Sequence, residues 1–308
     1  MLVTGGAGFY GMNLLRRLAH TGARMVAAAR SRPTPDLAEL DCTWAVADLA
    51  NRERVLELFG AWRPSVVFHL TSASRGGTEI ENIAASVTGD ILPTLHVLEA
   101  SAHFGVARLI LPVSMEEPFP VAGHDGELAV PETPYAVAKL VGGLYGRLFR
   151  RDFGVPVAVL RCFLTYGPHQ KPYKLIPYVI RSLRSGEAPR LSSGRRLVDW
   201  IYVDDVVSAL LAAATVSAPP DGVLEIGTGQ LRAIRDVVTM IHRLMGGPPP
   251  VFGAIPDRGH ERVARIADAT RQLGWAPVVP LEDGLRRTIA FYGTRHPTMP
   301  PSTSLHPA

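Results

Sequence analysis

A serine, a tyrosine and a lysine stand where proton-transfer chemistry can be built: Ser114 in LILPVSMEEP, and Tyr135 and Lys139 in PETPYAVAKLVGG. Tyr135 and Lys139 are four residues apart, so on a helix they share one face. A free phenol titrates near pH ~10. A cation a few ångströms away lowers that pKa and makes the phenol a usable proton donor and acceptor at neutral pH. Ser114 would add a third hydrogen bond, to the reacting oxygen. A Tyr-x-x-x-Lys pair also arises on ordinary amphipathic helices, so its weight depends on where the chain places it.

The elements around these residues predict an edge where ligands bind. Leu2, Val3 and Thr4 read as a short buried strand that turns at once into GGAGFYG and then into the helical pattern MNLLRRLAHTG. Gly5, Gly8 and Gly11 fall in a G-x-x-G-x-x-G spacing, with Phe9 and Tyr10 inside it. The first glycine permits the turn, the second lets backbone approach a pyrophosphate, and the third lets the helix pack on the sheet. Amides at the helix N-terminus then face the phosphates. One residue precedes Leu2, fewer than a central strand usually has, so a start a few residues upstream is expected. The second strand, Met25 to Ala29, runs into Arg30, Ser31 and Arg32. A carboxylate at this place holds both adenosine ribose hydroxyls of NAD, whereas arginine and a small hydroxyl suit the 2′-phosphate of NADP. Ala29 stands where that acid is expected, which favours NADPH; a solvated basic turn before Pro33 is the alternative, and Asp36 could reach back.

Asp48 and Leu49 close the third strand, where the carboxylate can accept from the adenine amino group and the leucine can cover the ring. Capping the helix NRERVLELF is the other role open to Asp48. The fourth strand, VVFHLTSAS, puts Leu70, Thr71 and Ser72 where small residues allow backbone contacts near the nicotinamide ribose, and His69 reads as a packed strand residue. The fifth strand, RLILPVS, delivers Ser114 to the carboxyl end of the sheet, where ligands of open α/β sheets bind.

Composition narrows the class. The chain has 308 residues, 47% hydrophobic and 19% charged, enough for a sizeable core in one large domain with a lobe or in two domains. The formal charge of +4 comes from scattered arginines, which argues against nucleic acid and suits an anionic small molecule. Cys42 and Cys162 are far apart and the ten histidines are dispersed, so neither a disulfide framework nor a metal site is indicated. No leader pattern and no membrane-length apolar run is visible, leaving the cytoplasm as the expected compartment. The stretch from 294 to 308 is rich in Pro and polar residues and is expected to be disordered.

These motifs, with LRCFLTYGPHQ, VDWIYVDDVVSAL and LGWAPVVPLEDGLRRTIAFY, resemble the extended short-chain dehydrogenase/reductase family, in its nucleotide-sugar branch of epimerases, 4,6-dehydratases and 4-ketoreductases. The resemblance implies a doubly wound parallel α/β sheet of Rossmann type with a smaller, sequence-discontinuous substrate lobe. It places the dinucleotide-binding domain at 1–166 and 198–230 and the nucleotide-sugar lobe at 167–197 and 231–293. It makes Tyr135 the acid/base, Lys139 its tuner and a ribose ligand, Ser114 the residue that orients the carbonyl, and Cys162 a neighbour of the cofactor. Homodimers through helices beside the tyrosine helix are common in the family.

A 4,6-dehydratase of this family needs an Asp acid and a Glu base directly after the hydroxyl residue. Here Met115 stands at the Asp place and Glu116 at the Glu place. The run S-M-E-E-P is similar instead to the S-S-E-E-Y pattern of the 4-ketoreductases, and the expected activity is reduction of a nucleotide-activated 4-keto-6-deoxysugar with NADPH. An NAD-retaining 4-epimerase is the alternative, and a solvated loop is the plain reading of Glu116 and Glu117. Asp90 and Leu164 stand where Asn is usual, and Val198 where Arg is usual. Arg196 and Arg258 are the expected sources of positive charge for the diphosphate.

Overall fold

Short apolar runs rich in valine, leucine and alanine pair here into one sheet, as strands buried on both faces do. The computed structural model describes residues 1–19, 21–31, 40–72, 77–117, 130–257 and 262–294. Its strands are β1 (Leu2–Thr4), β2 (Val26–Ala29), β3 (Thr43–Val46), β4 (Val66–His69), β5 (Arg108–Ser114), β6 (Val157–Cys162), β7 (Leu164–Tyr166), β8 (Leu197–Tyr202), β9 (Val223–Ile226) and β10 (Leu231–Ala233). Seven of them line up as β3-β2-β1-β4-β5-β6-β9, the doubly wound order that reverses between β1 and β4. The pairs from β3 through β6 are parallel. The expected fold is therefore the one observed, and VLEIGTG supplies its last strand.

The helices are α1 (Phe9–Leu18), α2 (Arg52–Trp62), α3 (Glu81–Ser86), α4 (Leu92–Phe104), α5 (Pro134–Asp152), α6 (Leu175–Arg184), α7 (Val203–Thr215), α8 (Ile234–Met245), α9 (Ala267–Leu273) and α10 (Leu281–Thr294). A π-helical turn, Val87–Ile91, joins α3 to α4. Helix α5 starts where Thr133 accepts from the Ala136 amide at 3.1 Å, with Pro134 in the first helical position. On its inner face a Cβ at Gly146 would come 2.9 Å from Leu111 Cδ2. The helix thus seats close on β5 and β6, which fixes the depth of Tyr135 and Lys139 in its opening turns. Leu2, Val67, Leu109 and Val157 from the strands pack with Phe59, Val97 and Leu98 from α2 and α4.

The chain divides into two compact units. The first holds Met1–Cys162, Val207–Glu225 and Asp268–Trp275; the second holds Phe163–Val206, Ile226–Ala267 and the chain from Ala276 onward. The chain passes between these units after Cys162, Val206 and Glu225. Strand β8 pairs in parallel with β7 and antiparallel with β10 in a separate three-stranded sheet, so it stays with the second unit. The chain re-enters the first unit at Val207, inside α7. A further crossing, Asp268–Trp275, carries no sequence signal; there Trp275 Nε1 donates to Ser208 Oγ at 2.8 Å.

In the second unit Asp199 is fully buried and takes four hydrogen bonds: from Thr228 N (2.7 Å), Thr228 Oγ1 (2.6 Å), Gly229 N (2.9 Å) and Ala264 N (3.0 Å). Both cysteines are free thiols. Among the described residues no helix is long and apolar enough to cross a membrane, and no group of three or more metal-ligating side chains gathers. The expected disordered tail lies outside the described residues beyond Thr294.

Candidate active site

The turn after β1 is shaped by missing side chains. Gly5 adopts φ +66°, and a Cβ there would lie 2.7 Å from the Leu70 carbonyl oxygen. The Gly8 amide donates to Gly5 O at 2.8 Å and closes the turn. A Cβ at Gly11 would collide with that same carbonyl. Gly8 is the N-cap of α1 and no side chain caps the helix, so its first amides are available to an anion. Phe9 and Tyr10 stack beside the turn, with ring centroids 5.3 Å apart. The Thr71 hydroxyl, beside Gly5, is buried with no hydrogen-bond partner among the described residues. A left-handed glycine, an uncapped helix start and an unpaired hydroxyl together fit the pyrophosphate and ribose of a dinucleotide.

Farther along that edge, Arg30 and Ser31 are exposed directly after β2, while Arg32, with Asp36, lies outside the described residues. Asp48 is exposed and accepts from Ala50 N at 3.0 Å. It is not the cap of α2: Asn51 takes that role, accepting from Arg54 N at 3.1 Å. Leu49 is buried, and its carbonyl accepts from His96 Nδ1 at 2.9 Å. Leu70 is half-buried and Ser72 exposed at the end of β4.

Ser114, the last residue of β5, is buried and close enough to Tyr135 to act on its pKa. Its Oγ accepts from Glu116 N at 3.1 Å. Met115 is half-buried and Glu116 exposed. The Lys139 ammonium lies 5.6 Å from the centre of the Tyr135 ring and 3.5 Å from Asp90 Oδ1. Asp90, on the π-helical turn, is 2% exposed. That turn is pinned by a buried chain: Thr94 Oγ1 donates to Asp90 O at 2.7 Å, His69 Nε2 lies 3.1 Å from Thr94 Oγ1, and His69 Nδ1 lies 2.8 Å from Thr4 Oγ1. The single Thr94 proton goes to the Asp90 carbonyl, so His69 must carry its proton on Nε2 and accept from Thr4 at Nδ1.

The electrostatics differ from a simple lysine-tuned phenol. Burial raises the Tyr135 pKa, the Glu116 charge adds to the rise, the Ser114 hydrogen bond opposes it, and Asp90 raises it again. Lys139 is not among the groups that lower it, and its ammonium is engaged with Asp90. Tyr135 is thus firmly protonated at neutral pH. Burial, with Lys139 assisting and Asp90 opposing, lowers the His69 pKa from 6.5 to about 3. Cys162 is pushed up to about 12, mainly by burial, against a hydrogen bond with Tyr10.

The first unit therefore brings together Ser114, Glu116, Tyr135, Lys139 and Cys162, with Asp90 as a charged neighbour. Leu164 and Arg196 belong to the second unit. Leu164 is half-buried opposite Trp200 in the β7–β8 register, and the Arg196 carbonyl accepts from Ile234 N at 3.1 Å. Val198 is fully buried, and Arg258 lies outside the described residues. Glu117 corrects the sequence reading: it is no solvated loop residue but is 4% exposed, 3.0 Å from the Arg161 guanidinium. An arginine inside the apolar strand VAVLRC was the available signal, because a buried charge needs a partner.

The chain is similar to known proteins. The profile of the NAD dependent epimerase/dehydratase family matches residues 1–227. A probable dTDP-glucose 4,6-dehydratase of Sinorhizobium fredii is 29% identical, over 95% of this chain and 92% of its own. The UDP-glucose 4-epimerase of Thermotoga maritima, solved with UDP-glucose, superposes with a TM-score of 0.83 at 27% identity, covering 95% of this chain and 98% of that one. The UDP-glucuronic acid 4-epimerase of Bacillus cereus, solved with UDP-glucuronic acid and NAD, gives 0.83 at 25% identity with the same coverages.

Proposed function

This chain belongs to the NAD dependent epimerase/dehydratase family, and from that premise we propose that it is a 4-ketoreductase that uses NADPH to reduce a nucleotide-activated 4-keto-6-deoxysugar. Its relatives are enzymes of the extended short-chain dehydrogenase/reductase type that act on nucleotide sugars. The observation that carries the finer reading is Met115. In a 4,6-dehydratase an aspartic acid at this place protonates the leaving hydroxyl, and a thioether has no proton to give. What remains beside Ser114 is the machinery for proton exchange at one oxygen.

In this reading Ser114 accepts from Glu116 N and so has its own proton free to donate. It shares the ketone oxygen with Tyr135, whose raised pKa keeps it a proton donor through neutral pH. Tyr135 protonates O4 as the carbonyl is reduced. Lys139 supplies positive charge next to the phenol and a hydrogen bond to the ribose, and Asp90 holds it. A nicotinamide, when bound, would supply a hydride for C4. Gly5, Gly8, Phe9, Tyr10, Gly11, Asp48, Leu49, Leu70, Thr71, Ser72 and Cys162 line the dinucleotide. Arg30, Ser31 and Arg32 would meet its 2′-phosphate. Leu164, Arg196 and Arg258 hold the nucleotide sugar. Exposed Val137, Leu144 and Tyr145 on α5 suit a second copy of the chain, and the cytoplasm is the compartment that goes with this activity.

The second reading is an NAD-retaining 4-epimerase, favoured by the epimerase neighbours, one of them holding NAD. Incubation with NADPH and a panel of 4-keto-6-deoxy nucleotide sugars separates the two. The ketoreductase consumes NADPH stoichiometrically with one of them. Protein that purifies with NAD and interconverts C4 epimers without added reductant would establish the epimerase instead.

A further inference from the structure

Beneath Ser114 lies a buried charged cluster for which the proposed reaction has no direct use. Glu117 and Glu225 are each 4% exposed, and the Arg161 side chain 12%. Glu117 Oε2 accepts from Arg161 Nη2 at 3.0 Å, and Arg161 Nη1 lies 3.6 Å from Glu225 Oε1. The other Glu117 oxygen, Oε1, accepts from the Ser114 backbone N at 3.2 Å. The four-residue turn is closed a second time by Glu117 N donating to Ser114 O at 3.2 Å. It is tied to β6 by Met115 N donating to Cys162 O at 3.2 Å.

The effect converges on one hydroxyl. Glu116 N reaches Ser114 Oγ only because the turn is held in this shape. A serine hydroxyl has one proton; with Glu116 N–H on its acceptor side, that proton is left for the reacting oxygen. We infer that Glu117, carried by Arg161 and Glu225, is a positioning residue that sets the direction of the Ser114 proton. The inference rests on the reading of Ser114 as the hydroxyl that touches the reacting oxygen.

Two substitutions separate this role from plain support of the fold. Glu117→Asp keeps the charge for Arg161 but withdraws an oxygen from the Ser114 amide. Its kcat, on whichever nucleotide sugar the native enzyme turns over, falls about 10-fold or more with KM within about two-fold, as for a misplaced catalytic group. In the Ser114→Ala background the same change costs nothing further, because Glu117 acts through that hydroxyl. Where the shorter side chain prevents folding, Glu117→Gln keeps the reach and gives the same kcat-only loss and the same non-additivity, at about three-fold. Unchanged kcat in the folded variant, or losses that multiply in the double variant, would overturn the role. A second readout needs no turnover. The Ser114 amide proton, donated to a carboxylate in the full-length native protein, resonates downfield and moves upfield in Glu117→Asp; an unmoved resonance also overturns it. If no nucleotide sugar is turned over, the proposed function fails and the amide signal still judges the strut.

Discussion

The turn after β1 and the turn after β5 carry the backbone to the same edge of one sheet, yet they are held in shape by opposite means. The first is shaped by atoms that are missing: Gly5 and Gly11 leave room that any Cβ would fill. The second is shaped by atoms that are present: Glu117, Arg161 and Glu225 tie the turn to β6 and β9 with ionised groups. The first works through backbone clearance and amides, with no ion pair in it. The second is electrostatic and long-range, so single charges act on it. A cofactor cradle needs only clearance and amides, whereas an acid/base site needs its charges held, and each turn has the kind of support its proposed task requires.

Breaking either support tests that contrast, and the largest effect is expected at Gly11. Gly11→Val drives a branched side chain into the Gly5 carbonyl and into Gly6, so the variant loses dinucleotide binding and at least about 4 kcal/mol of stability, read by calorimetry and cofactor titration. Full cofactor affinity would show that the glycine turn is not the cradle. Arg161→Met leaves two buried carboxylates without their guanidinium and costs about 3 to 5 kcal/mol in urea unfolding. A neutral result would mean the cluster is not an ion-paired support.

His69, on β4 between the two turns, gives a smaller effect with a definite sign. Its pKa in the folded protein is lowered to about 3 from 6.5, so the unfolded chain binds the proton first. The stability that neutral His69 contributes is complete above about 6.5 and drains away as pH falls toward about 3. His69→Gln should flatten the stability-against-pH curve in that window. An unchanged slope would assign acid sensitivity to the carboxylates alone. Smallest is the effect of Asp90→Asn. Asp90 helps to raise the Tyr135 pKa and occupies Lys139, so its neutralisation lowers that pKa and frees the ammonium. The phenol stays protonated through neutral pH in both proteins, so kcat there changes by less than about three-fold; a larger loss would contradict the role of Asp90.

What the sequence revealed follows the same division. The glycine turn, the buried strands and the four-residue spacing of Tyr135 and Lys139 are legible because each is set by neighbours along the chain. Ser114 is legible because a strand ending delivers it to the binding edge. Glu117 was not, since its partner Arg161 is 44 residues away and neither motif contains both. Asp90 stood out only as a departure from Asn; its pairing with Lys139 depends on a π-helical turn that no periodicity announces. Where the chain changes unit is hidden from the sequence for a related reason. Strand β8 reads like another buried strand, and only its pairing with β7 and β10 keeps it in the second unit.

The central claim is that Tyr135 gives its proton to a sugar O4 while C4 is reduced. The most direct test follows deuterium from the reduced nicotinamide into the sugar by NMR, in the native enzyme and in Tyr135→Phe. The account predicts label at C4, a rate at least about 100-fold lower in the variant, and cofactor affinity unchanged within a few-fold. Label at another carbon, or a Tyr135→Phe enzyme as fast as the native one, would contradict it.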